Sequence, residues 1–419
     1  MSVRQHETPD LKAVWERNVE AQKKIRYLSN LPHWTVTSTG AVVDIAPGVL
    51  NPGFTRGNLQ VCLDKAIKGL KLRDQKVALV DLTKGFGQPE FAGNKSNSTD
   101  SAASIGKLAV LYGAFQLRFD LEQIAKKQGA TDRDELFAKA RELWIGTQNE
   151  ANRRLVLVKN RKVPMRTMTG TRKLPFLENV FDYDASTKKP SFKRTNDSFA
   201  RLKEIDNLHH EHPTHGKKII DLMGFGERMQ LAIGFSNNWA AAKCIREVGY
   251  LYISSLLLQS GIYDQAGGGG GLWLHSDYGG SSWESPFAAR KQNATCASLA
   301  RFMTLLMQNR LVSPTASQEM QALMDKDKEP GKATRSPFEQ ALECPDDDPF
   351  CERSGGWSGK IKALSKLGLL TNWVGDCAYI EHSEGSRILR YVVVMLGARS
   401  DMPIRKLLRA LDKCIADNQ

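Results

Sequence analysis

The chain has no apolar run approaching the roughly 18 residues that a membrane-spanning helix needs, so no such segment is read. Its first ten residues are polar and charged and lack an apolar core, so they do not read as a secretory signal. The expectation is a cytoplasmic protein, with a periplasmic or secreted location as the alternative if a signal has been removed. Cysteine is sparse: seven in 419 residues, an odd number that cannot all pair within one chain. Cys62, Cys244, Cys296, Cys377 and Cys414 fall in apolar patterns and read as buried thiols. Cys344 and Cys351 flank an acidic loop and could bridge it in an oxidising compartment.

Metal and phosphate signatures are missing as well. His209, His210, His212 and His215 crowd together, yet Thr214 stands where H-E-x-x-H needs its second histidine, and Pro213 would break the helix. A solvated polar loop is expected there. The glycines from Gly267 to Gly271 precede no Lys-Ser or Lys-Thr pair, which excludes a P-loop. They read either as a close-approach loop lining a cleft, with Trp273 and Tyr278 as candidate substrate contacts, or as a structural turn. No metal and no cofactor is expected. The net charge of +13 is concentrated, with twelve Lys or Arg against Glu178, Asp182 and Asp184 between Arg153 and Arg194. Aromatics in that stretch form no stacking ladder, so it reads as a solvated insertion, and nucleic acid is disfavoured as a partner.

What is present is ordinary in amount: 41% apolar and 25% charged residues, in a chain long enough for two lobes. The informative stretch is 98–117, a polar turn running into an apolar helical pattern, with Ser98 and Asp100 as candidate N-caps. Ser104 and Lys107 lie three apart at its start, so hydroxyl and amine share a face. That spacing suits acyl transfer, with a serine nucleophile beside a lysine that manages its proton. The spacing alone is weak, because 28 Ser and 32 Lys give about two chance matches in this length. The second match, Ser186 to Lys189, falls in a polar loop ended by Pro190 and has no helix to hold it.

Context favours Ser104. Downstream come Ser236-Asn237-Asn238, opening a helical run expected over 239–258, and Lys366-Leu367-Gly368, opening a β-like run. The order S-x-x-K, S-x-N, K-x-G resembles that of the penicillin-recognising serine hydrolases, the class A β-lactamases and the related DD-peptidases and transpeptidases. Flanking segments extend the resemblance over roughly 60–419: 76–85 as a first hairpin, 296–314 as a helix and S-P turn, 390–395 as a last strand and 404–416 as a C-terminal helix.

The resemblance implies an α+β fold: a five-stranded antiparallel sheet flanked by helices, beside an all-helical lobe. The expected division is 1–54 as an N-terminal extension, 55–100 with 355–419 as the sheet lobe, and 101–354 as the helical lobe with a basic insertion at about 150–215. Within the extension, 8–29 reads as an amphipathic helix and 33–45 as two strands around Gly40.

The resemblance also implies roles. Ser104 attacks a carbonyl, Lys107 takes its proton, Ser236 relays a proton to the leaving atom, Asn238 orients Lys107 and substrate, and Lys366 adds positive potential. The backbone N–H groups of Ser104 and Leu369, beside Gly368, form the oxyanion hole. Leu367 stands where the family carries a hydroxyl that binds the substrate carboxylate, and Asn237 where it carries aspartate. Glu284, in Trp283-Glu284-Ser285-Pro286, is the candidate deacylation base, without the asparagine expected a few residues on. The expected function is a serine hydrolase of the β-lactamase-like type acting on an amide, lactam or ester of a small molecule or peptide. A penicillin-binding acyltransferase of the DD-peptidase type is the alternative, and a non-catalytic module using the basic insertion is the third. Oligomeric state is open.

Overall fold

The computed structural model describes residues 35–36, 42–43, 52–55, 57–140, 175–264, 270–274, 276–280, 292–325, 337–343, 361–399 and 401–418. The expected helix at 8–29, the first part of the expected basic insertion (150–174), Glu284, Cys344 and Cys351 lie outside these residues. The strand pair expected around Gly40 is present, with Thr35 opposite Val43 and Val36 opposite Val42.

The framework is an antiparallel five-stranded sheet, as expected. Its strands are β1 (Lys76–Asp81), β2 (Glu90–Asn94), β3 (Ile361–Leu370), β4 (Trp373–Glu384) and β5 (Arg387–Ala398). Their spatial order is β3-β4-β5-β1-β2, so the C-terminal hairpins flank a strand from early in the chain. Side chains alternate between the two faces with the period of two that a strand imposes. Val77, Leu79, Ala378, Ile380, Val393 and Met395 face one core, while Ala78, Val80, Cys377, Tyr379, Val392 and Val394 face the other.

The first face is covered by α1 (Leu59–Gly69), α10 (Pro337–Glu343) and α11 (Asp401–Asp417), which the chain delivers from both sides of the helical part. On α1 the buried residues Leu59, Leu63 and Ile67 recur every four, one apolar stripe toward the sheet. The other face meets a larger helical part. A 3₁₀ turn (Ala103–Lys107) leads into α2 (Leu108–Gln128), which is buried on all sides over residues 108–117. Around it lie α3 (Phe199–Glu211), α4 (Pro213–Leu222), α5 (Phe225–Ile233), α6 (Asn238–Val248), α7 (Tyr250–Gln259), α8 (Cys296–Met307) and α9 (Pro314–Met324).

Several local expectations are corrected. Ser98 and Asp100 cap no helix: Asp100 pairs with Lys76 at 2.5 Å, and Asp100–Ser101 pairs as a short strand with Asn293–Ala294. The histidine stretch is a corner between α3 and α4, because Pro213 occupies the first turn of α4, where its missing N–H removes no helical bond. The run expected over 239–258 is two helices, parted at Gly249, whose φ of 89° suits glycine. Ser186 and Lys189 lie exposed on a β-hairpin and start no helix. Among the described residues, no helix is long and apolar enough to cross a membrane, and no group of three or more His, Cys, Asp or Glu is placed to hold a metal ion.

Cys62 and Cys414 are not the free thiols expected. They form a disulfide between α1 and α11, where the two helices lie side by side on the sheet; Cys244, Cys296 and Cys377 are free and buried. The bridge spans 352 residues of chain, so it removes much of the freedom of the unfolded state. Cys62→Ser is therefore expected to lower stability by about 2–4 kcal/mol. A reductant should lower the Tm of the native protein and leave that of the variant unchanged; a native Tm that ignores reductant would refute this.

Candidate active site

The 3₁₀ turn places Ser104 and Lys107 on top of one another, because three residues complete one turn and side chains at i and i+3 eclipse. Lys107 Nζ lies 3.1 Å from Ser104 Oγ. Ala103 enters the turn with φ of 42°, a conformation that non-glycine residues seldom adopt. Neighbours hold it there. Ala102 N–H donates to Gln292 O at 2.7 Å, and Tyr278 O–H donates to Ala103 O at 2.6 Å. Gly106 makes room for that hydroxyl, since a methyl there would come within 2.5 Å of it.

The second motif comes from the corner before α6. Ser236 has φ of 61°, and Asn237 caps the helix by accepting from Ala240 N–H at 2.9 Å. The corner aims three groups at Lys107 Nζ: the Ser236 carbonyl, Ser236 Oγ at 3.2 Å and Asn238 Oδ1 at 2.7 Å. Strain of this kind persists where surrounding contacts over-determine the backbone, and it concentrates at working sites.

The third motif comes from β3. Residues two apart share a face of a strand, so Lys366 and Gly368 both turn toward the nucleophile turn. Lys366 Nζ donates to Ser236 Oγ at 2.8 Å. Gly368 lets the strand approach closely, because a methyl there would lie 3.0 Å from Ala102 O and 3.1 Å from Ile105 Cγ1. Leu367 points the other way, into the core shared with α1 and α11. The leucine therefore stands in a core position on the far face, not in the substrate-facing place expected for it. Leu369, next to Gly368, is half exposed.

Burial divides these groups. Ser104 is partly accessible, whereas Lys107 and Lys366 are 0% and 2% exposed. Burial pushes the Lys107 ammonium down from its ordinary 10.5 to about 7, against the opposing pull of the Asp206 carboxylate. A large share of Lys107 is thus neutral near pH 7. A neutral amine has two N–H groups and one lone pair. Asn238 Oδ1 and the Ser236 carbonyl can take the two N–H groups, leaving the lone pair for the Ser104 or Ser236 hydroxyl. The arrangement is that of a hydroxyl nucleophile beside a deprotonated base, with a second hydroxyl held between two amines.

Tyr278 is at the site, but as a support. Its hydroxyl holds Ala103 and its ring lies 5.0 Å from Lys107 Nζ. The preceding Asp277 is fully buried, pairs with Arg246 and accepts from Gly279 N–H at 2.8 Å, which fixes the loop carrying Tyr278. Tyr278→Phe keeps the ring and loses one hydrogen bond, worth about 0.5–1.5 kcal/mol. Acylation of Ser104 is expected to slow roughly 3- to 10-fold, measured as the rate of labelling by an active-site probe; an unchanged rate would remove this role. Trp273 is not a substrate contact. It is 1% exposed and packs against the rings of Tyr250 and Tyr263 in the core.

A family model described as the beta-lactamase enzyme family matches residues 214–417. That span holds Ser236, Asn238 and Lys366, while Ser104 and Lys107 precede it and join the others only in the fold. No curated protein matches the sequence. Among solved structures, the chain is similar to a β-lactamase from Sphaerobacter thermophilus, at 14% identity over 85% of this chain and 97% of that one, with a TM-score of 0.44. It is similar to a class A β-lactamase from Mycobacterium abscessus at 10% identity, over 86% and 98% of the two chains, with a TM-score of 0.44. It is also similar to a PBP-A mutant in an acyl-enzyme complex with penicillin G, at 12% identity over 88% and 100%, with a TM-score of 0.43.

Proposed function

Over residues 214–417 this chain belongs to the beta-lactamase enzyme family, and on that premise we propose that it cleaves an amide, lactam or ester through an acyl-enzyme on Ser104. The protein is a serine hydrolase of the β-lactamase type. The observation that carries the site assignment is the convergence on Lys107 Nζ of Ser104, Ser236 and Asn238, with Lys366 on the same Ser236 hydroxyl.

Ser104 Oγ attacks the carbonyl carbon as Lys107 Nζ takes its proton. The carbonyl oxygen becomes an oxyanion, received by the backbone N–H groups of Ser104 and Leu369, each worth roughly 3–4 kcal/mol in such a role. The C–N or C–O bond then breaks, and the leaving atom takes a proton from Ser236 Oγ, which is resupplied by Lys107. Lys366 keeps positive potential on that hydroxyl, which favours passing its proton on. Water attacks the ester carbon and gives a proton to the neutral Lys107; the bond from that carbon to Ser104 Oγ then breaks, Lys107 returns the proton to Ser104 Oγ, and the acid leaves. β-Lactams are substrates that fit the family. The Cys62–Cys414 disulfide supports an oxidising compartment, which favours a periplasmic or secreted location.

Intact mass after incubation with a fluorophosphonate and, separately, with a penicillin tests the assignment. One adduct per chain with each reagent is expected, absent in Ser104→Ala. Labelling by the fluorophosphonate alone would narrow the function to an esterase or amidase. No adduct with either would overturn the reading.

A further inference from the structure

One carboxylate stands directly behind this site. Asp206, on α3, is 8% exposed and accepts from Asn237 Nδ2 at 2.7 Å. Asn237 is tied at every polar group. Its Oδ1 caps α6 through Ala240 N–H at 2.9 Å, and its own N–H donates to Leu231 O at 3.0 Å. Its two neighbours in sequence, Ser236 and Asn238, are the ones that hold Lys107.

We propose that Asp206 is a positioning residue of the reaction: its carboxylate anchors Asn237, and so the strained Ser236–Asn238 corner that holds Lys107. The inference rests on Ser104 and Lys107 acting as nucleophile and base. Two opposed influences set the proton affinity of Lys107. Burial lowers it, and Asp206 is the charge that raises it, leaving it at about 7. Among the described residues, Lys366, whose Nζ shares the Ser236 hydroxyl, and the Tyr278 ring also lie around the amine. Asp206 itself is faced by His210, with Nε2 3.7 Å from its Oδ2 on an exposed side chain, and by His209, whose Nδ1 lies 3.4 Å from Asn237 Nδ2. Burial holds His209 below its ordinary value, with His210 and Lys217 adding to that. Asp206 therefore exchanges rate for range: with its charge the base is stronger but is released only at higher pH.

Asp206→Asn separates charge from contact, since the amide keeps an oxygen for Asn237 Nδ2. Lys107 would be followed by ¹³C NMR of labelled lysine, assigned with Lys107→Met, and Ser104 by fluorophosphonate labelling rate against pH. His210→Gln serves as the control for the exposed imidazole. The Lys107 midpoint is expected to fall below the wild-type value in Asp206→Asn, and the acid limb of labelling to move with it. Half a pH unit would raise the labelling rate at pH 5.5, relative to its own plateau, roughly threefold. Asp206→Ala leaves Asn237 without its acceptor and should slow labelling at every pH, with Asp206→Asn restoring most of the plateau.

An unchanged midpoint in Asp206→Asn with wild-type melting would overturn the electrostatic role. Wild-type labelling in Asp206→Ala would overturn the anchoring role. The NMR midpoint needs no acyl chemistry, so a shifted midpoint in a protein that no probe labels would sink the proposed function and leave the Asp206–Lys107 coupling standing. Should Asp206→Ala fail to fold, the Asp206→Asn titration alone decides the charge.

Discussion

Ser104→Ala is expected to lower turnover by about 10⁴-fold or more while leaving the melting temperature near that of the wild type. The asymmetry follows from where the atoms lie. Ser104 is partly accessible, and its hydroxyl lies 3.1 Å from Lys107 Nζ. Lys107 keeps Asn238 Oδ1 and both oxygens of Ser236, so removing Oγ orphans no buried group. Chemistry loses more, because in the proposed reaction that oxygen is the atom that forms the new bond. What remains is binding and electrostatic stabilisation by the surroundings, which supplies a residual acceleration of the order of 10³–10⁴ over water in serine hydrolases stripped of their nucleophile. Steady-state turnover with a chromogenic lactam or ester, alongside a thermal melt, tests both halves. Activity within tenfold of wild type would move the nucleophile elsewhere.

Lys107→Met should cost roughly 10²–10⁴-fold in the acylation rate, the range of a well-placed general base, and should also change the shape of the pH profile. In the proposed reaction the working form of Lys107 is the neutral amine. Its fraction falls tenfold per unit below its pKa, which burial sets at about 7. Acylation should therefore rise with pH through an acid limb centred near 7, and Lys107→Met should lose that limb. The same shift has a stability sign. The folded-state pKa lies below that of the unfolded chain, so between about 7 and 10.5 the unfolded state binds the extra proton and stability rises with pH. Methionine titrates nowhere. The melting temperature of Lys107→Met minus that of wild type should thus fall as pH rises through that window. A flat difference, together with a retained acid limb, would assign the limb to another group.

Much of the site was legible because its motifs are short and their geometry is local. Three residues span a 3₁₀ turn, so Ser104 implied Lys107; two residues span a strand repeat, so Lys366 implied Gly368. The order of the three motifs then pointed to one cleft. The same strand rule, applied one residue on, places Leu367 on the opposite face, in the core with α1 and α11. Long-range partners left no such trace. Nothing local tells Cys62 that α11 will lie beside it, or Asp206 that Asn237, 31 residues away, will turn toward it. Trp273 was misplaced because an aromatic after a glycine run suits a cleft wall and a core equally well, and only packing against Tyr250 and Tyr263 decides. Ser98 and Asp100 looked like caps because polar residues precede the helix, but the Lys76–Asp100 pair and the short strand claim that segment first.

The strand order has a consequence for how the protein is made. β1 and β2 leave the ribosome early, yet the strand that borders β1 on its other side is β5, 310 residues later by the Asp81–Tyr391 pairing. Until then β1 offers an unpaired edge and two apolar faces, Val77 and Leu79 on one, Ala78 and Val80 on the other. Nascent chains in that state associate readily, and pairings that close so large a loop form slowly. Yield in a heterologous host should therefore depend on holdase chaperones and on slow translation, and a truncated product lacking β3–β5 should be found in aggregates, with no lysine from β3 to complete the site.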